Sequence, residues 1–147
     1  DAHEDLASVP GVLRAFAETM LNLTCAVAGR GRMMRDGAVK TLADLERLAV
    51  EPATKEAVGL AIANLTGAEV QGLLPEVISQ MAVPTLVDIV AGGVGDADAR
   101  TRLAVALCNL TAEPGAREVS LDFVTILGPV VFTHKFININ VSLSHSV

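Results

Sequence analysis

The tripeptide Asn-Leu-Thr occurs three times in this chain, at Asn22-Leu23-Thr24, Asn64-Leu65-Thr66 and Asn109-Leu110-Thr111, spaced 42 and then 45 residues apart. Self-similarity at such an interval marks stacked units, each one supersecondary element that buries its apolar face against its neighbours. Each copy closes an apolar stretch: Phe16–Leu21, Val58–Ala63 and Leu103–Cys108. Counting back from each Asn, the positions two and six before it are apolar (Met20 and Phe16, Ile62 and Val58, Leu107 and Leu103), and Leu always follows it. Those separations fall on one stripe of a helix, so the three segments read as equivalent amphipathic helices. The Asn lies about 100° from the Leu that follows it, on a different face. Ala61 and Ala106 stand three before the Asn, where a small side chain lets another helix approach.

The text between the repeated helices supplies the rest of each unit. Asp36-Gly37 precedes Ala38–Leu48, in which Val39, Leu42, Leu45 and Leu48 recur at helical spacing. Glu51-Pro52 ends that helix, because a residue before Pro avoids the helical region. Pro84 is suited to opening a helix whose apolar side is Leu86, Ile89 and Val90, and Gly92-Gly93 stops it. Each unit reads as a short helix, a medium helix and a longer one.

This pattern resembles the armadillo repeat, a three-helix unit whose third helix ends in Ala-x-x-Asn-Leu-like text; the HEAT repeat is the nearest relative in form. The resemblance implies an all-α, right-handed α-solenoid over residues 1–123. Within it, residues 10–25 are the third helix of a first repeat, 29–67 and 68–113 are full repeats, and 115–123 start a fourth. Residues 124–147 form an atypical apolar tail, in which Ile137–Ser144 alternates apolar and polar with the period of a strand.

In armadillo proteins the third helices line a concave face on which the Asn commonly binds the backbone of an extended peptide. By that resemblance Asn22, Asn64 and Asn109 form a ladder, a carboxamide offering a donor and an acceptor to each peptide unit. The importin alpha branch places Trp four residues before the Asn; here Glu18, Leu60 and Val105 stand there, and the chain has no Trp. The groove would present Leu60 and Val105, flanked by Arg14, Glu18, Glu56 and Arg102. The implied function is a non-catalytic scaffold for an extended or amphipathic peptide. The alternatives are a purely structural stretch of a longer solenoid or a HEAT-like adaptor.

Composition agrees with that class. Of 147 residues, 51% are hydrophobic and 3% aromatic, enough for a core built of Leu, Val, Ile and Ala. A formal charge of -6 argues against nucleic acid as a partner, and the basic Arg30, Arg32 and Arg35 lack aromatic companions. Gly128-Pro129 and Lys135 break the apolar tail too early for a membrane span. Two cysteines, Cys25 and Cys108, are too few and too far apart for a disulfide framework or a zinc site, and imply reduced thiols. The expected home is therefore cytoplasmic, with a nuclear or cytoskeletal association open. A start at Asp1 rather than Met reads as a piece of a longer chain.

Catalytic features are weak. His3, His134 and His145 share no ligand spacing, so neither a metal nor a cofactor is expected. Gly92-Gly93-Val94-Gly95 is followed by Asp96-Ala97-Asp98 in place of the Lys and Ser or Thr of a phosphate cradle. Asn22, Asn64, Asn109 and Asn140 begin formal glycosylation sequons, three of them the repeat signature itself. The exposed ends of so short a stack carry an expectation of self-association.

Overall fold

A computed structural model describes residues 10–67 and 72–114, and every regular element among them is a helix. In chain order these are α1 (Pro10–Thr24), α2 (Val27–Arg35), α3 (Ala38–Leu48), α4 (Pro52–Leu65), α5 (Leu74–Ser79), α6 (Ala82–Ala91) and α7 (Ala97–Ala112). The fold is all-α. The expected helix at 115–123, the strand-like Ile137–Ser144 and the sequon at Asn140 lie outside the described residues.

The helices fall into two runs of short, medium and long, α2–α3–α4 and α5–α6–α7, preceded by the long α1. The two runs lie side by side in register. The long helices α1, α4 and α7 pack in series with α4 in contact with both others, α3 packs on α6, and α2 on α5. The core runs through all of them, from Leu13 and Ala17 on α1 through Val58 and Ile62 on α4 to Leu103 and Leu110 on α7.

Punctuation sets the boundaries. Pro52 occupies the first turn of α4, where its missing N–H costs nothing. Pro84 is the third residue of α6, so that helix opens two residues earlier than Pro84 suggests, on the left-handed Met81. Gly92 and Gly93 end it as expected, Gly93 at a φ of 91°. Asp96 caps α7, its carboxylate accepting from the Ala99 N–H at 2.7 Å. The first short helix begins at Val27.

The joint between short and medium helix is built alike in both runs. Gly37 and Met81 stand at the N-caps of α3 and α6, both in the left-handed region, at φ values of 86° and 73°. Beside the second joint, Gln80 fastens one run to the other. Its Nε2 donates to the Met34 carbonyl at 3.0 Å, and its Oε1 accepts from the Lys40 N–H at 3.3 Å. Within the first run the buried Glu46 of α3 accepts from Lys55 Nζ of α4 at 2.7 Å, fixing the angle between those helices.

Close approach of the long helices depends on small residues. A Cβ on Gly59 of α4 would sit 2.9 Å from Leu103 Cδ2 and 3.3 Å from Ile89 Cδ1. Hydrogen replaces that methyl, and α6 and α7 close onto α4 through the gap.

Candidate functional site

Each long helix turns three faces outward from its axis. One is buried in the core, and one carries the positions eight, four and zero before the repeated Asn. On α1 these are Arg14, Glu18 and Asn22, all exposed; on α4 Glu56, Leu60 and Asn64, all half-buried; on α7 Thr101 and Val105, exposed, with a half-buried Asn109. The spacing of four keeps each trio on one side of its helix. With α1, α4 and α7 packed in series, the trios form adjacent rows. The expected site residues Asn22, Asn64, Asn109, Glu18, Leu60, Val105, Arg14 and Glu56 thus share these rows, and Arg102 stands one position over from Thr101.

Asn64 links the rows. Its Nδ2 donates to Thr24 Oγ1 on α1 at 3.1 Å and lies 3.8 Å from Cys25 Sγ, while its Oδ1 accepts from the Arg102 guanidinium on α7 at 2.6 Å. The middle carboxamide therefore has both its donor and its acceptor engaged within the molecule. The side chains of Asn22, exposed, and Asn109, half-buried, make no hydrogen bond among the described residues.

Around this line the charges are mostly satisfied. Arg14 Nε donates to Glu18 Oε1 at 2.9 Å, and that hydrogen bond, with the carboxylate charge behind it, raises the pKa of Arg14 above its already high ordinary value. Arg30 of α2 reaches back to the end of α1, donating to the Thr24 carbonyl at 2.7 Å and the Cys25 carbonyl at 3.5 Å. It covers carbonyls that the last turn of α1 leaves without helical partners. Burial pushes the half-buried Cys108 thiol upward, whereas Cys25 is exposed.

The third member of the repeated tripeptide, to which the sequence pattern assigned no role, proves to be the most uniform. Thr24, Thr66 and Thr111 each donate their hydroxyl to the carbonyl three residues before: Leu21 at 2.8 Å, Ala63 at 2.8 Å and Cys108 at 3.2 Å. Thr24 adds the contact with Asn64. The recurrence of Thr was itself the available signal, since a hydroxyl at a helix end competes for terminal backbone groups.

Among the described residues no group of three or more His, Cys, Asp or Glu could hold a metal ion, and no helix is long and apolar enough to cross a membrane. Fold and rows together define a class no finer than an all-helical protein with laterally packed long helices. No protein-family model matches the chain, and no curated protein or solved structure is similar to it.

Proposed function

We propose that the chain is an armadillo-type solenoid segment that holds an extended or amphipathic peptide across the rows of α1, α4 and α7. The observation that supports this most is the Thr24–Asn64–Arg102 line, in which the middle repeated Asn ties the buried end of α1 to α7 across α4. A face that joins three helices in register presents recognition groups at the intervals an extended chain requires. In this reading Asn22 and Asn109 bond the peptide backbone, Val105 and Leu60 receive apolar side chains, and Asn64 holds the rows at the right separation. The partner is a protein rather than nucleic acid, in keeping with a net charge of -6, and cytoplasm is the compartment that two free cysteines favour. The role is binding rather than catalysis.

Peptides selected for binding from a random display library test it. Asn22→Ala with Asn109→Ala, or Val105→Glu alone, is expected to weaken selected binders at least tenfold, on the order of 1.4 kcal/mol or more, while Arg32→Ala on the exposed surface of α2 leaves them unchanged. Binders indifferent both to the Asn22→Ala, Asn109→Ala pair and to Val105→Glu sink the proposal. One observation favours a purely structural segment instead: the internal engagement of both ends of the Asn64 carboxamide. If that is the whole role of the row, the library yields no binder sensitive to Asn22 or Asn109.

A further inference from the structure

One side of α1 departs from those of its counterparts. In α4 the positions ten, six and three before the Asn and one after it are Thr54, Val58, Ala61 and Leu65; in α7 they are Ala99, Leu103, Ala106 and Leu110, and all eight are buried. In α1 the same positions are Val12, Phe16, Thr19 and Leu23, all exposed, Phe16 at 44%. The medium helices differ in the same sense. Thr41 of α3 and Thr85 of α6 each stand four residues past a left-handed N-cap and donate their hydroxyl to its carbonyl, at 3.3 and 2.7 Å. Thr85 is buried, whereas Thr41 is exposed. Thus α1 and α3 share an uncovered side at positions that are closed one unit further along.

The cover used further along is defined. α4 packs on the medium helix that leads into it, α3, and on the preceding long helix, α1; α7 packs in the same way on α6 and α4. The contact has a direction, for Leu103, six before its Asn, sits over Gly59, five before the Asn of the preceding long helix. The equivalent pair between α4 and α1 is Val58 and Ala17, both fully covered. The larger Leu meets Gly and the smaller Val meets Ala, as close helix packing requires. Phe16, larger than either, calls for Gly. At the far end of the series the receiving residues of α7, Ala104 and Leu107, are buried, so a second copy of this chain has no bare floor to offer α1.

The sequence ahead of α1 gives the direction from which the cover comes. Glu4, Leu6, Ala7 and Pro10 stand 42 residues before Glu46, Leu48, Ala49 and Pro52, the interval that also separates Asn22 from Asn64. The text that ends α3 and opens α4 is therefore repeated where a medium helix would lead into α1. We infer that the uncovered side of α1 and α3 is a docking surface for one more medium-and-long helix pair, ahead of α1 on the same polypeptide, whose long helix turns a glycine to Phe16 as α4 turns Gly59 to Leu103. The inference rests on the solenoid part of the proposed reading and not on its peptide.

The test extends the 147-residue chain by a copy of residues 10–51 placed ahead of Pro10 in place of residues 1–9, so that Glu51 meets Pro10 as it meets Pro52. A second version carries Ala17→Gly in the added copy. In a Cys25→Ser, Cys108→Ala background, a Leu23→Cys thiol in the original α1 should react with a disulfide reagent at least about tenfold more slowly in the extended chains than in the 147-residue one. The glycine version should unfold at the higher urea concentration, relief of overpacking under Phe16 outweighing the weaker helix propensity of glycine. The same Ala17→Gly in the original α1, beneath Val58, should destabilise instead. Phe16→Glu in the original α1 should leave the unfolding midpoint of the 147-residue chain nearly unchanged and lower that of the extended chains. Asn22→Ala with Asn109→Ala should alter none of these results, so failure of the peptide reading and failure of this inference are told apart. Equal thiol rates in the short and extended chains, or an added copy that contributes no helical circular dichroism, overturn the inference. A glycine version less stable than its alanine parent overturns it as well. So does thiol protection in the 147-residue chain that grows with concentration, by giving the surface to a second copy.

Discussion

Two residues at equivalent joints carry the same backbone demand with unequal ease. Gly37 adopts its left-handed conformation without cost, whereas Met81 holds a Cβ against the following carbonyl, a strain of about 1 kcal/mol. Because the Met81 side chain is 53% exposed, little packing is lost with it. Met81→Gly is therefore expected to stabilise the protein by about 1 kcal/mol in urea unfolding, and Gly37→Ala to destabilise it by a similar amount. Reactivity differs at this scale too. At pH 8 one thiol equivalent, Cys25, should react quickly with a disulfide reagent and a second, Cys108, slowly, since burial both shields that sulfur and raises its pKa; equal rates would contradict the burial. The repeated Asn and Leu could be identified from spacing alone, because periodicity of three and four reports directly on helix faces. The identity of the partner of Asn64 could not, for Thr24 and Arg102 lie 40 and 38 residues away and meet it only through packing.

Among the elements, the glycines of α2 and α4 do opposite things. Gly29 lies within α2 with open space around any added methyl, so Gly29→Ala should raise stability by about 0.5–1 kcal/mol through helix propensity. Gly59 is the seat of Leu103 and Ile89, and Gly59→Val should lower stability by about 2 kcal/mol by overpacking that joint. Thermal or urea unfolding of the pair checks both, and the same sign for the two would refute the distinction. A sequence carries no mark that separates these glycines: both sit in helices, and only the approach of α6 and α7 distinguishes them. Helix ends were more readable. Ala38–Leu48, the start of α4 at Pro52 and the stop at Gly92-Gly93 follow from turn chemistry that acts within a few residues. At Val27 and Ala82 the helix begins after a residue with no capping side chain to announce it.

For the whole molecule, cohesion between the two runs rests on a few polar clasps laid over a continuous aliphatic core. Gln80 is one of them, joining α2 and α3 to the next run through two hydrogen bonds at the outer layer. Gln80→Ala should cost about 1 kcal/mol and should raise amide exchange in α5 and α6 before it does so in α1, because the lost bonds hold the second run to the first. Uniform exchange along the chain would show that the clasp is dispensable. The all-helical class was evident from the repeat and from the scarcity of aromatics, which left Leu, Val, Ile and Ala to fill the interior. The exposure of Phe16 and Leu23 was not, because they match their counterparts in pattern and differ only in how much of each side chain is covered.

The series of contacts from α1 to α4 to α7 also governs how the protein would respond to tension. With each long helix held chiefly by those beside it, a pull applied at the two ends is borne by one junction after another rather than by all at once. Such a chain yields in steps, and the junction closed over Gly59, where hydrogen alone separates the backbone of α4 from Leu103, sets the size of one of them.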